Sequence, residues 1–221
     1  MSESSFSPRR RRPTTPRATA NGASEEKKRR SGDKRERILK AAVKVFARNG
    51  FHATRVSEVA KAAGVADGTI YLYFESKEEL LVRLFEDRVE KLLGFMREEL
   101  PKESDAPAKL RAVIQMQLGL IAGERDLAEV ITVIFRQSTR LMKEFATPHF
   151  GAYIESIATI VAEGQAAGLF RKDVSSHVAA RAIFGALDGI TLTWALGRAE
   201  QGALARAATQ LSDMLLRGLA P

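Results

Sequence analysis

The chain has 221 residues, of which 45% are hydrophobic and 28% are charged. This composition can build a buried core in one or two domains, and no apolar run reaches the roughly 18 residues that a membrane-spanning helix needs. Cysteine is absent, which excludes disulfides and cysteine-ligated zinc and makes a reducing, cytoplasmic setting the expected one. No apolar segment follows the basic N-terminus, which argues against a secretory signal.

The formal net charge of +8 lies in the first third of the chain. Residues 1–32 contain nine Lys or Arg and three Glu. Residues 33–77 contain nine basic and five acidic residues, and residues 78–221 contain 17 basic and 19 acidic residues. A basic end on a near-neutral body is typical of a protein that binds a polyanion, and a solvated basic tail is the alternative. Residues 1–32 have almost nothing to bury, so we predict that they are disordered.

Two amphipathic helices are predicted next. The first begins at Asp33, an N-cap residue type, and ends at Asn49-Gly50; its apolar face consists of Ile38, Ala42, Val45 and Phe46. The second, in ATRVSEVAKAAG, takes Thr54 as its N-cap and ends at Gly64; its apolar face consists of Val56, Val59, Ala60 and Ala63.

A third helix is predicted from Asp67 to Phe74, after a short turn. Two short helices across a glycine-containing turn form the helix-turn-helix layout, in which the second helix enters the DNA major groove. Ile70 and Phe74 have the spacing of a buried face. That leaves the glycine and hydroxyl-bearing residues Gly68, Thr69, Tyr71 and Tyr73 for close approach to DNA bases and phosphates, with membership of a small core as the alternative for the tyrosines.

The segment ESKEELL begins a long helix. Ser76 and Glu79 have capping-box spacing, and an apolar stripe continues to Leu92. Lys77 lies in the first turn, where the helix dipole disfavours a cation, so we predict that it binds a DNA phosphate together with the helix N-terminus. A solvated surface lysine is the alternative.

Residues 34–81, in particular ILKAAVKVFARNGFHATRVSEVAKAAGVADGTIYLYFESKEELL, resemble the DNA-binding domain of the TetR family of bacterial repressors. The resemblance implies phosphate contacts from Thr54, Tyr73 and Lys77, and base or groove contacts from Gly68, Thr69 and Tyr71. Ala66 and Asp67 depart from the family pattern, which usually has a Ser cap followed by a neutral or basic residue. We therefore expect Asp67 to cap the helix or to accept a hydrogen bond from a cytosine amino group.

The remainder, residues 78–221, shows helical apolar stripes and almost no strand signal. Breaks separate segments near 77–100, 107–123, 126–146, 149–167, 175–197 and 202–218. The predicted fold is all-α, with a three-helix DNA-binding domain at residues 33–77. For residues 78–221 the resemblance implies a helical ligand-binding and dimerisation domain.

Two segments have the pattern of pairing helices. In residues 175–197 small residues recur beside larger apolar ones, and LARAATQLSDMLLRGL gives a second stripe. Small residues let helices approach closely, so these helices are predicted to form a four-helix interface between two copies, with an intrachain core as the alternative. The predicted interface residues are Ala179, Ala182, Ile183, Ala186, Leu187, Ile190 and Trp194, together with Gly189. A homodimer would present paired recognition helices to a palindromic operator.

A pocket for a small hydrophobic effector is harder to locate, because each apolar candidate also suits a core. The predicted lining is Leu92, Phe95, Met96, Met116, Leu120, Ile134, Met142, Tyr153, Ile157 and Phe184. Arg136 and Arg140 have the charge to bind phosphates at a pocket mouth, although on a straight helix they point away from the apolar stripe.

FRQSTRLMKEF and FGALDGITLTWAL resemble TetR-type repressors of fatty-acid degradation, which release DNA on binding long-chain acyl-CoA. The predicted function is therefore a dimeric transcriptional repressor released by long-chain acyl-CoA, with a repressor of a multidrug efflux gene as the alternative. A nonspecific architectural protein leaves the helical body without a role. The sequence shows no constellation of a nucleophile, a phosphate-binding loop or a metal cluster that would indicate an enzyme. His52, His149 and His177 have no carboxylate or cysteine at ligand spacing, so no metal site is predicted.

Overall fold

The computed structural model describes residues 20–134, 136, 143, 147–197, 200 and 202–221. Those residues form helices and connecting turns without a β-strand, which confirms the predicted all-α class. The helices are α1 Ala20–Asn49, α2 Val56–Ala63, α3 Asp67–Ile70, α4 Lys77–Glu98, α5 Ala106–Gly119, α6 Arg125–Glu129, α7 Thr147–Ala166, α8 Ser176–Leu196 and α9 Ala203–Leu219. Leu100–Lys102 form a short 3₁₀ turn.

Helix α1 begins at Ala20, before the predicted start at Asp33. The structure thus places residues 20–32, part of the tail predicted to be disordered, in this helix, and residues 1–19 lie outside the described residues. The helix extends because the charged stretch between Ser24 and Glu36 contains good helix formers and only one glycine, Gly32. The chain divides into two units, Met1–Glu36 and Arg37–Pro221.

The second unit contains two hydrophobic cores. We call the first the head core; it is built by α1, α2, α3 and the start of α4. Phe46 and Phe51 meet there with ring centroids 5.5 Å apart. The buried members are Ile38, Leu39, Ala41, Ala42, Val43, Phe46, Phe51, Val59, Ala60, Ala63, Ile70, Phe74, Leu80, Leu81, Val82, Leu84, Val130 and Ile134.

The turn between α2 and α3 is fixed by Gly64, which has a φ of 65° in the left-handed region. The N–H of Val65 donates to the carbonyl of Ala60 over 3.0 Å, which ends α2. Helix α3 is shorter than predicted, because it ends at Ile70. Tight turns follow, in which the N–H of Leu72 donates to the carbonyl of Thr69, and the N–H groups of Tyr73 and Phe74 donate to the carbonyl of Ile70.

Thr54 does not cap α2. The N-cap is Arg55, whose backbone N–H donates to the Glu58 carboxylate over 2.8 Å. The Thr54 side chain is buried, with 3% of its surface exposed, and its hydroxyl donates to the carbonyl of Gly50 over 2.7 Å. Thr54 therefore ties the α1–α2 connection together from inside.

The second core, the body core, is shared by α4, α5, α7, α8 and α9. Capping residues fix where its helices begin: Ser76 accepts from the Glu79 N–H over 3.1 Å at the start of α4, and Asp105 accepts from the Ala108 N–H over 2.8 Å at the start of α5. The Ser76 half of the predicted capping box is thus present. Glu79 instead accepts from the N–H of Glu75, over 2.6 Å.

The segment predicted as one helix over 126–146 begins differently. Helix α6 is short and passes into a π-helical turn, Val130–Ile134. The Thr132 hydroxyl donates to the carbonyl of Ala128 over 2.7 Å within this turn. Residues 135, 137–142 and 144–146 lie outside the described residues, so the rest of this segment stays a prediction.

Candidate functional site

The helix-turn-helix presents a compact exposed surface. Ile70 and Phe74 are buried in the head core, as predicted, and orient α3 against α1 and α2. Tyr71 and Leu72, which follow α3, are 58% and 80% exposed. Large side chains with this exposure contribute little to the head core, so the sequence-based alternative of Tyr71 as a core residue is not supported.

Gly68 also lies on this surface, at an exposed position of α3. A Cβ atom added there would meet no other atom within 4 Å, and the residue has no positive φ. The fold itself therefore does not require glycine at this position. Thr69 and Tyr73 are half-buried, and the Tyr73 ring packs on the head core. The core alternative thus holds in part for Tyr73.

Lys77 lies at the start of α4, yet its ammonium faces the protein. It donates to the backbone carbonyls of Phe51, His52 and Thr54 over 2.8, 3.2 and 3.0 Å. The ammonium also lies 4.6 Å from the centroid of the Phe51 ring. An ammonium has three N–H donors, so its geometry makes Lys77 a clamp on the α1–α2 connection and does not support the predicted phosphate contact.

Asp67 is exposed in the first turn of α3 and does not cap it, because the N-cap position is held by Ala66 and no side chain accepts a cap hydrogen bond there. Asp67 and Tyr71 line a shallow depression of about 440 Å³ together with residues 54–57 and Lys77. This depression and the exposed residues of α3 form one continuous candidate contact surface.

The body contains a cavity of about 670 Å³, within the range of about 300–1,000 Å³ that is usual for small-molecule sites. Its walls come from α4, the end of α5, the π turn, α7 and α8 and are mainly apolar. The lining residues are Phe85, Arg88, Val89, Leu92, Gln117, Ile121, Ala128, Ile131, Thr132, Arg136, Phe150, Gly151, Tyr153, Ile154, Glu155, His177, Arg181, Phe184, Asp188 and Thr191.

A buried polar group interrupts the apolar lining. Arg88 is only 8% exposed, and its guanidinium donates to the backbone carbonyl of Gln117 over 2.8 Å. The Tyr153 hydroxyl donates to the side-chain oxygen of the same Gln117. Burial lowers the pKa of Arg88 to about 10 and raises the pKa of Tyr153 above its ordinary value. At neutral pH the arginine is therefore charged and the phenol is neutral.

Charged side chains also line the more exposed part of the cavity. Arg136 pairs with Asp188 over 2.6 Å, and His177 pairs with Glu155 over 2.9 Å. Arg181 is exposed on the same helix as His177. Arg136 thus lines the cavity, as predicted, whereas Arg140 and Met142 lie outside the described residues.

Leu92, Tyr153 and Phe184 line the cavity, as the sequence predicts. The other predicted apolar residues do not. Phe95, Met96, Met116 and Ile157 pack in or against the body core, Leu120 is 37% exposed, and Ile134 is buried in the head core. For Phe95 and Met96 the reason is their position along α4: Phe85, Arg88, Val89 and Leu92 line the cavity, and one turn later the helix packs against its neighbours.

Sequence reasoning missed Arg88, although a signal was present. Leu84, Val89 and Leu92 form a buried stripe, and Arg88 occupies the position four residues after Leu84 and four before Leu92. A charged residue at the centre of a buried stripe indicates a paired or functional group.

Two segments connect the cavity to the head core. Leu80, Leu81 and Leu84 of α4 belong to the head core, and the next turns of the same helix line the cavity. In the π turn, Val130 and Ile134 are buried in the head core while Ile131 and Thr132 line the cavity. A molecule filling the cavity would therefore contact both segments directly.

The predicted pairing residues of α8 differ in exposure. Ala179, Ile183 and Leu187 are buried in the chain's own body core, which favours the intrachain alternative for them. Ala186, Ile190 and Trp194 are partly buried against that core, and Ala182 is exposed. An outward stripe on α8 runs through Val178, Ala182, Gly185 and Leu196, with the half-buried Gly189 along it, and it includes two of the predicted residues, Ala182 and Gly189.

Across the described ranges, no three metal-binding side chains come together, and no described helix combines the length and apolarity needed to span a membrane.

A helix-turn-helix head joined to an all-helical body with an internal cavity defines the class of helix-turn-helix regulators. Family models support this: residues 38–84 match the bacterial regulatory proteins of the tetR family, and residues 85–218 match the C-terminal region of the YsiA-like proteins. The chain belongs to the TetR family of bacterial transcriptional regulators.

Relatives of known name cover most of the chain. The fatty acid metabolism regulator protein of Bacillus subtilis is 36% identical over 72% of this chain and 82% of its own length. The repressor NicS of Pseudomonas putida is 31% identical over 84% of this chain and 92% of its own length. The crystal structure of FadR from Bacillus subtilis in complex with stearoyl-CoA has a TM-score of 0.77 and 33% identity, covering 83% of this chain and 98% of that chain. The fatty acid degradation regulator FadR from Bacillus halodurans has a TM-score of 0.77 and 32% identity, with the same coverage.

Proposed function

We propose that this protein is a dimeric, cytoplasmic repressor that binds a palindromic operator and is released from it by a long-chain acyl-CoA, in control of fatty-acid degradation. The observation that carries the proposal is the body cavity, which is mainly apolar, has a size suited to a small molecule and is lined by the segments that build the head core. The likeness to FadR, which binds stearoyl-CoA, supports the choice of effector.

The proposed DNA-reading surface consists of Gly68, Thr69 and Tyr71. Gly68 is open to solvent and is not needed by the fold, which suits a position where the backbone approaches DNA closely. Tyr71 exposes both its ring and its hydroxyl, which suits contact with base edges or phosphates. Thr54, Tyr73 and Lys77 take a supporting role, since their side chains face the head.

Dimerisation is proposed through the outward stripe of α8 and the neighbouring helix α9, where Met214 is 62% exposed. A Cβ atom added at Gly185 or Gly189 would meet no other atom within 4 Å. Glycines that the chain's own packing does not require allow a second copy to approach closely, and a C₂ pair of such helices places two reading heads for two half-sites.

The acyl chain is proposed to occupy the apolar part of the cavity, beside Leu92, Val89, Ile154 and Phe184. The phosphates of CoA would then lie at the exposed rim, where Arg136 and Arg181 supply charge. Arg136 is held by Asp188 in this structure, so binding of a phosphate requires it to exchange one anionic partner for another.

Release follows if the effector favours a conformation that cannot bind the operator. The chain offers two levers, since both α4 and the π turn reach from the cavity to the head core. An acyl chain that fills the cavity pushes on side chains of both segments. A small tilt of the DNA-binding head then changes the spacing of the two recognition helices in the dimer.

The efflux-type alternative, with cationic drugs as effectors, is not favoured by the cavity. Of the described carboxylates that line it, Asp188 already forms an ion pair with Arg136, and Glu155 is hydrogen-bonded to His177 at an exposed position. The buried charge is the positive one of Arg88, which repels a cation.

Selection of bound sequences from a random duplex library tests the proposal. We expect one palindrome, bound at nanomolar concentration in the presence of competitor DNA, and footprints in two major-groove half-sites. An architectural protein would instead bind all duplexes equally as salt and competitor are varied. Mass spectrometry of the purified protein is expected to show a bound acyl compound, and a cationic drug in that place would favour the efflux alternative.

A further inference from the structure

Arg88 lines the body cavity with a buried guanidinium. It is a buried cation of the cavity, and among the residues that the structure describes its guanidinium donates to an uncharged backbone carbonyl, that of Gln117, over 2.8 Å. A guanidinium has five N–H donors, so this bond leaves donors for another partner. A buried charge without an opposite charge beside it is costly and in proteins usually marks a ligand or a catalytic role.

Among the described residues of the buried lining, the other polar side chains, including the Gln117 amide, are uncharged. The hydroxyls of Thr132 and Thr191 donate to carbonyls of their own segments, those of Ala128 and Leu187, over 2.7 and 2.8 Å. The Tyr153 hydroxyl donates to Gln117. A ligand oxygen inside the cavity therefore meets Arg88 as its strongest available donor.

Neither carboxylate of the described lining is bonded to this arginine: Asp188 forms an ion pair with Arg136, and Glu155 is hydrogen-bonded to His177. Both pairs lie at more exposed positions than Arg88, which is almost fully enclosed. An oxygen acceptor supplied by the ligand would lower the cost of this buried charge, and the charge-assisted hydrogen bond would strengthen in the enclosed surroundings.

We infer that Arg88 binds the oxygen at the head of the effector's acyl chain and so selects acyl compounds over plain hydrocarbon chains. This inference rests on the proposed function, because it specifies the polar contact in the same cavity. The acceptor is a carbonyl-type oxygen, which either the thioester of an acyl-CoA or the carboxylate of a free fatty acid supplies. The methylene chain beyond it lies against Leu92, Val89 and the other apolar walls.

Calorimetric titration of the full-length, DNA-free protein tests the inference with a matched pair of ligands. Palmitoyl-CoA carries the thioester carbonyl, and its thioether analogue S-hexadecyl-CoA lacks that oxygen while keeping the chain and headgroup. We expect the wild type to bind palmitoyl-CoA roughly 10- to 100-fold more tightly, as for a hydrogen bond to a charged group. Arg88→Met is expected to bind both ligands with similar Kd.

Palmitate, titrated in the same way, distinguishes the two sources of the oxygen. Binding that is lost in Arg88→Met identifies a carboxylate held by this arginine and supports the inference for free fatty acids. Palmitate binding that is equal in wild type and Arg88→Met contradicts it.

Arg83→Met is the control, because Arg83 lies on the exposed side of the same helix, paired with Glu79 and Glu86; it is expected to keep the wild-type preference. If Arg88→Met does not fold, Arg88→Lys keeps the charge without the planar fork, and a reduced preference is expected. A wild type that binds both CoA ligands equally overturns the inference while leaving the proposed function intact. Failure of every ligand to bind the wild type overturns the proposed function itself.

Discussion

Replacing Lys77 by methionine separates two roles for this residue. Its ammonium donates to the carbonyls of Phe51, His52 and Thr54 and lies over the Phe51 ring. Because Lys77 is half-buried, water replaces part of each lost bond, and we take about 0.5–1 kcal/mol for each hydrogen bond and for the cation–π contact. The free energy of unfolding should therefore fall by about 2–4 kcal/mol, which lowers Tm by roughly 5–15 °C.

Chemical denaturation and operator binding, measured together, decide between the roles. Lys91→Met is the control, since Lys91 is exposed on the same helix, and its stability is expected to change by less than about 0.5 kcal/mol. For Lys77→Met we expect lower stability and, below its melting range, an unchanged salt dependence of operator binding. Normal stability with a salt slope smaller by about 1.8 per dimer, the loss of one phosphate contact in each half-site, would refute the clamp and restore the phosphate contact.

Three further substitutions test the reading surface and the dimer. Gly68→Ala should raise stability by up to about 1 kcal/mol, measured by denaturation, and weaken operator binding, measured by fluorescence anisotropy. Gly119→Ala is its control. Normal operator binding by the Gly68 variant would contradict the proposed close approach of the backbone to DNA at this position. Tyr71→Ala should weaken operator binding by about 1–3 kcal/mol without lowering Tm, and a low Tm with full affinity would return Tyr71 to the core. Ala182→Glu should give a monomer in light scattering, because it places like charges across the proposed twofold interface; a dimer would exclude that stripe.

The sequence was sufficient for the fold class and the reading head, because both depend on local patterns. Ile70 and Phe74 have the spacing of a buried pair, and Gly64 carries the left-handed φ that ends α2. Each signal requires only neighbours within one or two turns of chain. The position of α3 and its exposed residues followed from them.

The sequence did not indicate that the side chains of Thr54 and Lys77 face the protein, and their phosphate contacts stay predictions. Both have residue types that suit phosphate contacts, and only the tertiary fold shows that their polar atoms are taken up by carbonyls of the α1–α2 connection. A lysine against a helix dipole indicates a nearby acceptor, and the sequence cannot distinguish an acceptor on DNA from one on the protein.

The cavity was the least predictable part. Ile134 and Met96 are apolar residues of the kind that lines a pocket, yet Ile134 belongs to the head core and Met96 to the body core. Core and cavity use the same apolar residues, so composition does not separate them. The π turn changes the helical phase at Val130–Ile134, which a period of 3.6 residues does not anticipate.

Release of the operator by acyl-CoAs of increasing length tests the central claim most directly. Operator-bound protein is titrated with free CoA and with acyl-CoAs of short, medium and long chains while DNA anisotropy is followed. Each buried methylene contributes about 0.8 kcal/mol, so potency should rise steeply up to chains of about 12 to 18 carbons, with no release by free CoA or short chains. Equal potency of free CoA, or release by bulky cationic drugs and by no acyl-CoA, would contradict the account.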